Sequence, residues 1–339
     1  MAVPSFGAAT TMPSEANDEP AAAGGGKNVV HNKQGIDMLH GRIWTKVLRF
    51  ALPVAATGIL EQLFNASGIM IVGNFSQSDG TAAVAAVGSN APVTGLILNL
   101  FIGSALGANV VIANAIGRGS REAVRNAVHT SIVTALIGGV IVAIIGELLA
   151  GPLLGMLNVT ADVFPLALAY LRIYLIGMPV ILLYNFETAI FRSIGDTQAP
   201  LAVLAISGVL NVTVGLIFVV LFHWGVSGVA TATVIANVVS SMILLYRLVH
   251  TDAAIHVDLR ELGIAWFTLR QILRIGLPAG VQSAVFAVAN IIIQAAINSL
   301  GTVVMAASSA AFNIEIIAYY VLNSFSQACA TFTGQNYGA

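Results

Sequence analysis

Charge is what this chain has least of. Its 339 residues include 14 Lys or Arg and 15 Asp or Glu, so 9% are charged, against about 25% in an average soluble domain. Nine of those charges precede residue 50, and the remainder is too thinly charged to cover a water-facing surface. Cysteine is nearly absent: Cys329 stands alone, which excludes a disulfide framework and a cysteine-rich metal site. The six histidines show no metal-ligand spacing, so no metal is expected. No glycine-rich phosphate loop, zinc motif or nucleophile elbow occurs, which argues against a nucleotide-driven pump or any other enzyme. A net charge of −1 offers no basic footprint for nucleic acid.

Apolar residues fill the space that charge leaves. They make up 57% of the chain, with a mean hydropathy of +0.89. Runs near 46–73, 83–112, 126–150, 163–190, 198–222, 226–248, 270–298 and 303–333 each exceed what about 30 Å of hydrocarbon requires at 1.5 Å per residue. The runs are continuous rather than alternating, which excludes the strands of a membrane barrel. The predicted fold is an all-α membrane protein, a polytopic bundle of about eight transmembrane helices.

Cations set the orientation. Thirteen of the fourteen fall before span 1, between spans 2 and 3, between 4 and 5, or around the connection from 6 to 7. The alternate loops carry none, so the N-terminus is expected on the cytoplasmic side. The exception is Arg172, inside span 4. The predicted organisation is a disordered cytoplasmic tail over 1–42, a six-helix first lobe over 43–249, a cytoplasmic linker over 250–269 and two helices of a second lobe over 270–339. The tail has no basic start or apolar segment of a secretory signal.

The two parts repeat one another. Arg49-Phe-Ala-Leu-Pro53 opens span 1 and Arg274-Ile-Gly-Leu-Pro278 opens span 7, and the same offset pairs Asn65 with Asn290. A few residues of gap then pair Val87-Gly-Ser-Asn90 with Ala310-Ala-Phe-Asn313, and Ala113-Asn-Ala-Ile-Gly117 with Gly334-Gln-Asn-Tyr-Gly338. Six helices separate the copies, so they share one membrane orientation, as in a parallel repeat.

Longer stretches carry a family likeness. They include Leu63-Phe-Asn-Ala-Ser-Gly-Ile-Met-Ile-Val-Gly-Asn-Phe75, Tyr170-Leu-Arg-Ile-Tyr-Leu-Ile-Gly-Met-Pro179, Phe191-Arg-Ser-Ile-Gly-Asp-Thr197, Leu277-Pro-Ala-Gly-Val-Gln282 and Asn313-Ile-Glu315. In this order they resemble the multidrug and toxic compound extrusion (MATE) family, most like its bacterial branch, over about residues 40–339. The resemblance implies twelve helices in two lobes around a cleft that opens alternately to each membrane face. It implies export of amphipathic or cationic compounds in exchange for Na⁺ or H⁺, with no cofactor, in a bacterial cytoplasmic membrane. The family continues past this chain's last residue, so helices 9–12, or another chain, are expected to complete the second lobe. Two alternatives stand beside this reading: a lipid-linked saccharide flippase of the same superfamily, and a chain inactive on its own.

Ionisable groups at membrane depth are costly and hence functional candidates. Family members often place an acid in an Asn-x-x-Asp pattern on the first helix, where this sequence reads Asn65-Ala-Ser-Gly68. Glu61 lies on nearly the same helix face as Asn65 and Gly68. It is read either as the displaced cation-coupling carboxylate, with Asn65, or as a neutral acid at a lobe interface. A second family acid, one turn after Asn211, is replaced by Gly215. Glu315 near the middle of span 8 is a further coupling candidate. Asn185, Asn211, Gln282, Asn290 and Asn313 are expected to line the substrate cleft, with Gln294 and Asn298 continuing the spacing on span 7. Glu147 and Arg172 are expected to form a structural ion pair, while Glu187 and Arg192 fall near the inner mouth.

Overall fold

The computed structural model describes residues 35–76, 80–157, 159–298 and 302–339, without the side chains of 291, 294, 295, 298, 302–307, 309, 310, 313 and 314. Among the described residues there are nine α-helices and no strand. They are α1 (Ile43–Phe75), α2 (Gly80–Gly117), α3 (Arg121–Met156), α4 (Phe164–Ile176), α5 (Met178–Ser193), α6 (Gln198–Leu216), α7 (Gly225–Val249), α8 (Trp266–Asn298) and α9 (Thr302–Gly338). A π-helical turn, Ile217–Leu221, extends α6.

Six of these helices are long and apolar enough to cross a membrane, and the pair α4 and α5 adds a seventh, bent span. The single run expected over 163–190 is therefore broken, with a 53° bend at Gly177. Pro179 explains the break, because it offers no N–H to the preceding turn and crowds the carbonyl four residues back. Tight packing fixes the place: a Cβ on Gly177 would lie 2.5 Å from Val234 of α7, and one on Gly139 of α3 would lie 2.3 Å from Pro179. Pro53, Pro92 and Pro278 sit inside helices that run on unbroken. The expected eighth span is the 37-residue α9, whose second half is polar, with Asn323, Gln327, Thr331, Gln335 and Asn336.

The outer faces are apolar. Leu148 is 75% exposed and Ile144, Ile176 and Leu221 are also bare, an arrangement suited to lipid rather than water. Inside the first lobe, α2, α3, α5 and α7 share one buried cluster around Ile112, Val128, Phe186 and Leu244, while α4 joins α1, α2 and α7 in a second.

The linker is not a free surface helix. Ile255 and Val257 are fully buried in the first-lobe core. The Asp258 N–H donates to Nε2 of His129, whose Nδ1–H reaches the Glu261 carbonyl, and the Ala265 N–H donates to the Thr130 hydroxyl at 3.0 Å. Helix α8 starts at Trp266, so the linker expected over 250–269 gives its last four residues to the helix.

Candidate functional site

The site begins at the seam where α8 and α9 meet the first lobe. Helix α2 lies against both, and α1 lies against α9. Glycine permits the close approach: a Cβ on Gly103 would sit 2.1 Å from the Gly280 backbone nitrogen, and one on Gly107 would sit 2.4 Å from the Ile272 carbonyl. Hydrogen bonds continue the seam toward the C-terminal ends of α2, α5 and α9. Arg192 donates to Gln327 at 2.6 Å, Thr331 to Asn109 at 3.0 Å, and the Gln335 amide to the Ser193 carbonyl at 2.7 Å.

Next to these bonds the helices leave two cavities. The central one, of about 330 Å³, lies between α1, α2, α5, α8 and α9 and includes Asn109, Thr188, Arg192, Tyr320, Asn323 and Gln327. A second, of about 180 Å³, lies within the first lobe and includes Asn65, Tyr174, Ser207, Asn211, Thr233 and Asn237. Glu61, Ile102, Tyr184 and Asn185 line both.

Among the residues that line the central cavity, Glu61 supplies the carboxylate and Arg192 the cation. Both line the central cavity: Arg192, expected in a loop, occupies the last turn of α5 and points inward. Its Nε is buried with no hydrogen-bond partner among the described residues, and the Tyr184 hydroxyl stands beside Thr188 in the same cavity. Buried polar groups that the protein itself leaves unmatched fit a cavity that receives a polar ligand. Asn185 donates to the Ile181 carbonyl of its own helix at 2.8 Å, so its carbonyl oxygen remains for the cavity. Asn211 reaches Thr233 across α6 and α7 at 3.4 Å.

The other expected residues lie elsewhere. Glu315 is exposed on α9 and lines neither cavity. Gln282 and Asn290 are exposed on α8, also outside both. Asn313, Gln294 and Asn298 fall in α8 and α9, but their side chains lie outside the described residues. Arg172 Nε stands 3.5 Å from Glu147 Oε2. Glu187 is fully buried between helices, beside Ser241 of α7, and lines neither cavity. Sequence reasoning did not single out Tyr184, Tyr320, Asn109 or Gln327 as site residues. The signal available for α9 was its polar periodicity, with Asn323, Gln327 and Thr331 at four-residue spacing on one face.

The comparisons agree with this architecture. The family described as MatE matches residues 53–217 and 278–339. The probable multidrug resistance protein YpnP of Bacillus subtilis is 24% identical over 303 residues, 89% of this chain and 67% of that protein. The probable multidrug resistance protein NorM of Thermotoga maritima is 26% identical over 309 residues, 86% of this chain and 63% of that protein. A solved structure titled "Outward-facing conformation of a multidrug resistance MATE family transporter of the MOP superfamily" superposes with a TM-score of 0.82 at 26% identity, covering 90% of this chain and 67% of that one. The chain thus spans about two thirds of the length of the proteins it matches. With two matched segments that flank the linker and together take in Glu61, Arg192 and the polar face of α9, the chain belongs to the MatE family, the multidrug and toxic compound extrusion family its sequence resembles.

Proposed function

We propose that this chain is the first lobe and part of the second lobe of a secondary antiporter that exports amphipathic or cationic compounds in exchange for Na⁺ or H⁺. The observation that carries the reading is Glu61, which lines both cavities and shares the central one with Arg192. A carboxylate in that place can bind a proton or a sodium ion. Occupancy then changes the charge that substrate and Arg192 both meet, so one site couples the two fluxes. Asn65 and Asn211 in the first-lobe cavity, with Asn185 between the two, supply neutral acceptors for substrate or for a partly hydrated ion. Closure at the glycine seam leaves the opposite end to open outward, consistent with one state of an alternating cycle. The placement in a bacterial cytoplasmic membrane, with the N-terminus inside, belongs to the same proposal.

Reconstituted vesicles test it. An imposed sodium or proton gradient is expected to drive uptake of a fluorescent cationic dye, and Glu61→Gln is expected to abolish the dependence on that gradient. Gradient-driven uptake unchanged in Glu61→Gln would refute the coupling role. Transfer of a labelled lipid-linked saccharide in place of dye would favour the flippase alternative.

A further inference from the structure

A third cavity lies apart from the transport cavities, at the inner end of α1. It measures about 520 Å³ and is bounded by residues 35–37, the first two turns of α1, and residues 195–198 between α5 and α6. Arg42, Lys46 and Arg49 all line it. Their spacing of four and three residues puts them on one face of α1, over about 10 Å of rise.

The cations are not used equally. The Lys46 ammonium donates to the carbonyls of Asp37 and His40 and stands 3.9 Å from the Asp37 carboxylate. Arg42 and Arg49 are exposed and make no ion pair or hydrogen bond with any described residue. Two carboxylates share the cavity, and both are engaged locally. Asp37 accepts from the Leu39 and His40 N–H groups, and Asp196 accepts from the Gln198 and Ala199 N–H groups at the start of α6. Arg247 acts on Asp196 from α7. The acids therefore leave the two arginine forks open.

The cavity also sits at a defined depth. Ile43, Trp44, Leu48 and Leu52, on the other faces of the same turns, are bare apolar side chains, with Trp44 76% exposed. An exposed Trp flanked by cations marks the headgroup level of a bilayer. We propose that this cleft binds a phosphodiester anion, with Arg42 and Arg49 as its ligands. Basic pockets between helices at the cytoplasmic surface are where anionic lipid headgroups bind, and a free phosphate offers the same chemistry. Guanidinium forks match phosphate oxygens in pairs, which an ammonium does not.

Occupancy would act on the seam. Gly195, at φ 82°, packs directly on Ile36, while Met38, Phe50 and Val54 share a cluster with Ala328 and Phe332 of α9. The Asn336 amide donates to the Met38 carbonyl at 3.1 Å. An anion between α1 and these loops fastens the same segment that fastens α9.

The test uses the purified 339-residue chain and native mass spectrometry. Phosphatidylglycerol is the probe, phosphatidylcholine the zwitterionic comparison, and millimolar inorganic phosphate the competitor. One variant is Arg42→Gln/Arg49→Gln; the control pair is Arg118→Gln/Arg121→Gln, two exposed cations at the same membrane face. Each arginine at an anionic surface is worth about a factor of five, so the first variant is expected to bind phosphatidylglycerol roughly 30-fold more weakly, and the control pair unchanged. Displacement by inorganic phosphate assigns the site to a soluble anion, and its absence to the lipid headgroup. Equal binding by wild type and a folded Arg42→Gln/Arg49→Gln variant would overturn the proposal, as would equal losses in both pairs or equal binding of phosphatidylcholine.

Discussion

The glycine seam makes the sharpest prediction. Replacing Gly103 with Ala adds one methyl group at a place with no room for it. The new Cβ would lie 2.1 Å from the Gly280 nitrogen and 2.3 Å from its Cα, where about 3.5–4.0 Å is the comfortable separation. Backbone atoms form the obstacle, so no rotamer change relieves it, and α2 and α8 must part by roughly 1.5 Å locally. Overpacking of this kind costs about 1–3 kcal/mol. The proposed cycle parts these helices at the cytoplasmic end, so the cost falls on the closed state alone. A population shift of about one to two powers of ten follows. Gly95→Ala on the same helix is the comparison, because its Cβ would meet nothing within 4 Å. Spin labels at Arg118→Cys and Tyr337→Cys, in a Cys329→Ser background, report the separation of the α2 and α9 ends. Gly103→Ala is expected to move weight from the short distance to a longer one, and Gly95→Ala to leave it in place. If Gly103→Ala keeps the wild-type distance distribution in folded protein, the seam does not control closure and the reasoning fails.

Two further outcomes follow from the inner loops. Thr130→Val keeps the side-chain shape but leaves the Ala265 N–H without its acceptor, which costs about 1–3 kcal/mol; earlier proteolytic cleavage within 250–265 is expected, and unchanged cleavage would count against the clamp. Burial holds the Asp196 carboxyl above its ordinary value of 3.8, against the lowering by the Ala199 and Gln198 N–H groups and Arg247. The folded state therefore binds this proton more tightly than the unfolded state, and its contribution to stability falls as pH rises from the ordinary value through the folded one. Thermal unfolding of Asp196→Asn in detergent is expected to lose that fall, and a pH dependence identical to wild type would refute it.

How much of this was legible in the sequence depended on the range of the interaction. Apolar length declared the spans, because hydrocarbon thickness is a constraint each segment meets alone. The bend at Gly177 was hidden, since Gly-Met-Pro lies inside an unbroken apolar run and only the contacts of α3 and α7 fix the kink there. Glu61 stood out as a carboxylate within an apolar helix. Arg192 did not, because its loop-like neighbours Gly195-Asp-Thr197 masked a last helical turn whose partner, Gln327, is 135 residues away. The burial of Ile255 and Val257 was likewise invisible: two apolar residues in a polar linker carry no periodic signal.

The internal repeat, by contrast, explains the seam's geometry. Aligning Ala113–Gly117 with Gly334–Gly338 makes Gly117 the counterpart of Gly338, and Asn114 the counterpart of Gln335. A Cβ on Gly117 would lie 1.9 Å from the Gln335 carbonyl, and a Cβ on Gly338 would lie 2.1 Å from the Asn114 carbonyl. Each glycine meets the counterpart of its own helix's partner residue, which is the exchange that a two-fold axis requires. The same operation carries the contact of α2 with α8 onto that of α1 with α9. It pairs Gly276 and Gly280 with Ala51 and Ala55, and Gly103 and Gly107 with Ser324 and Ala328. All four of these counterparts are buried. Both seams are thus built of small residues, but one has glycine where the other has a side chain. The α2–α8 seam brings backbone against backbone, whereas the α1–α9 seam has methyl and hydroxymethyl groups at the matching positions. The central cavity, with Glu61 on α1, Gly103 on α2, Ala279 on α8 and Tyr320 on α9, lies where the two seams meet.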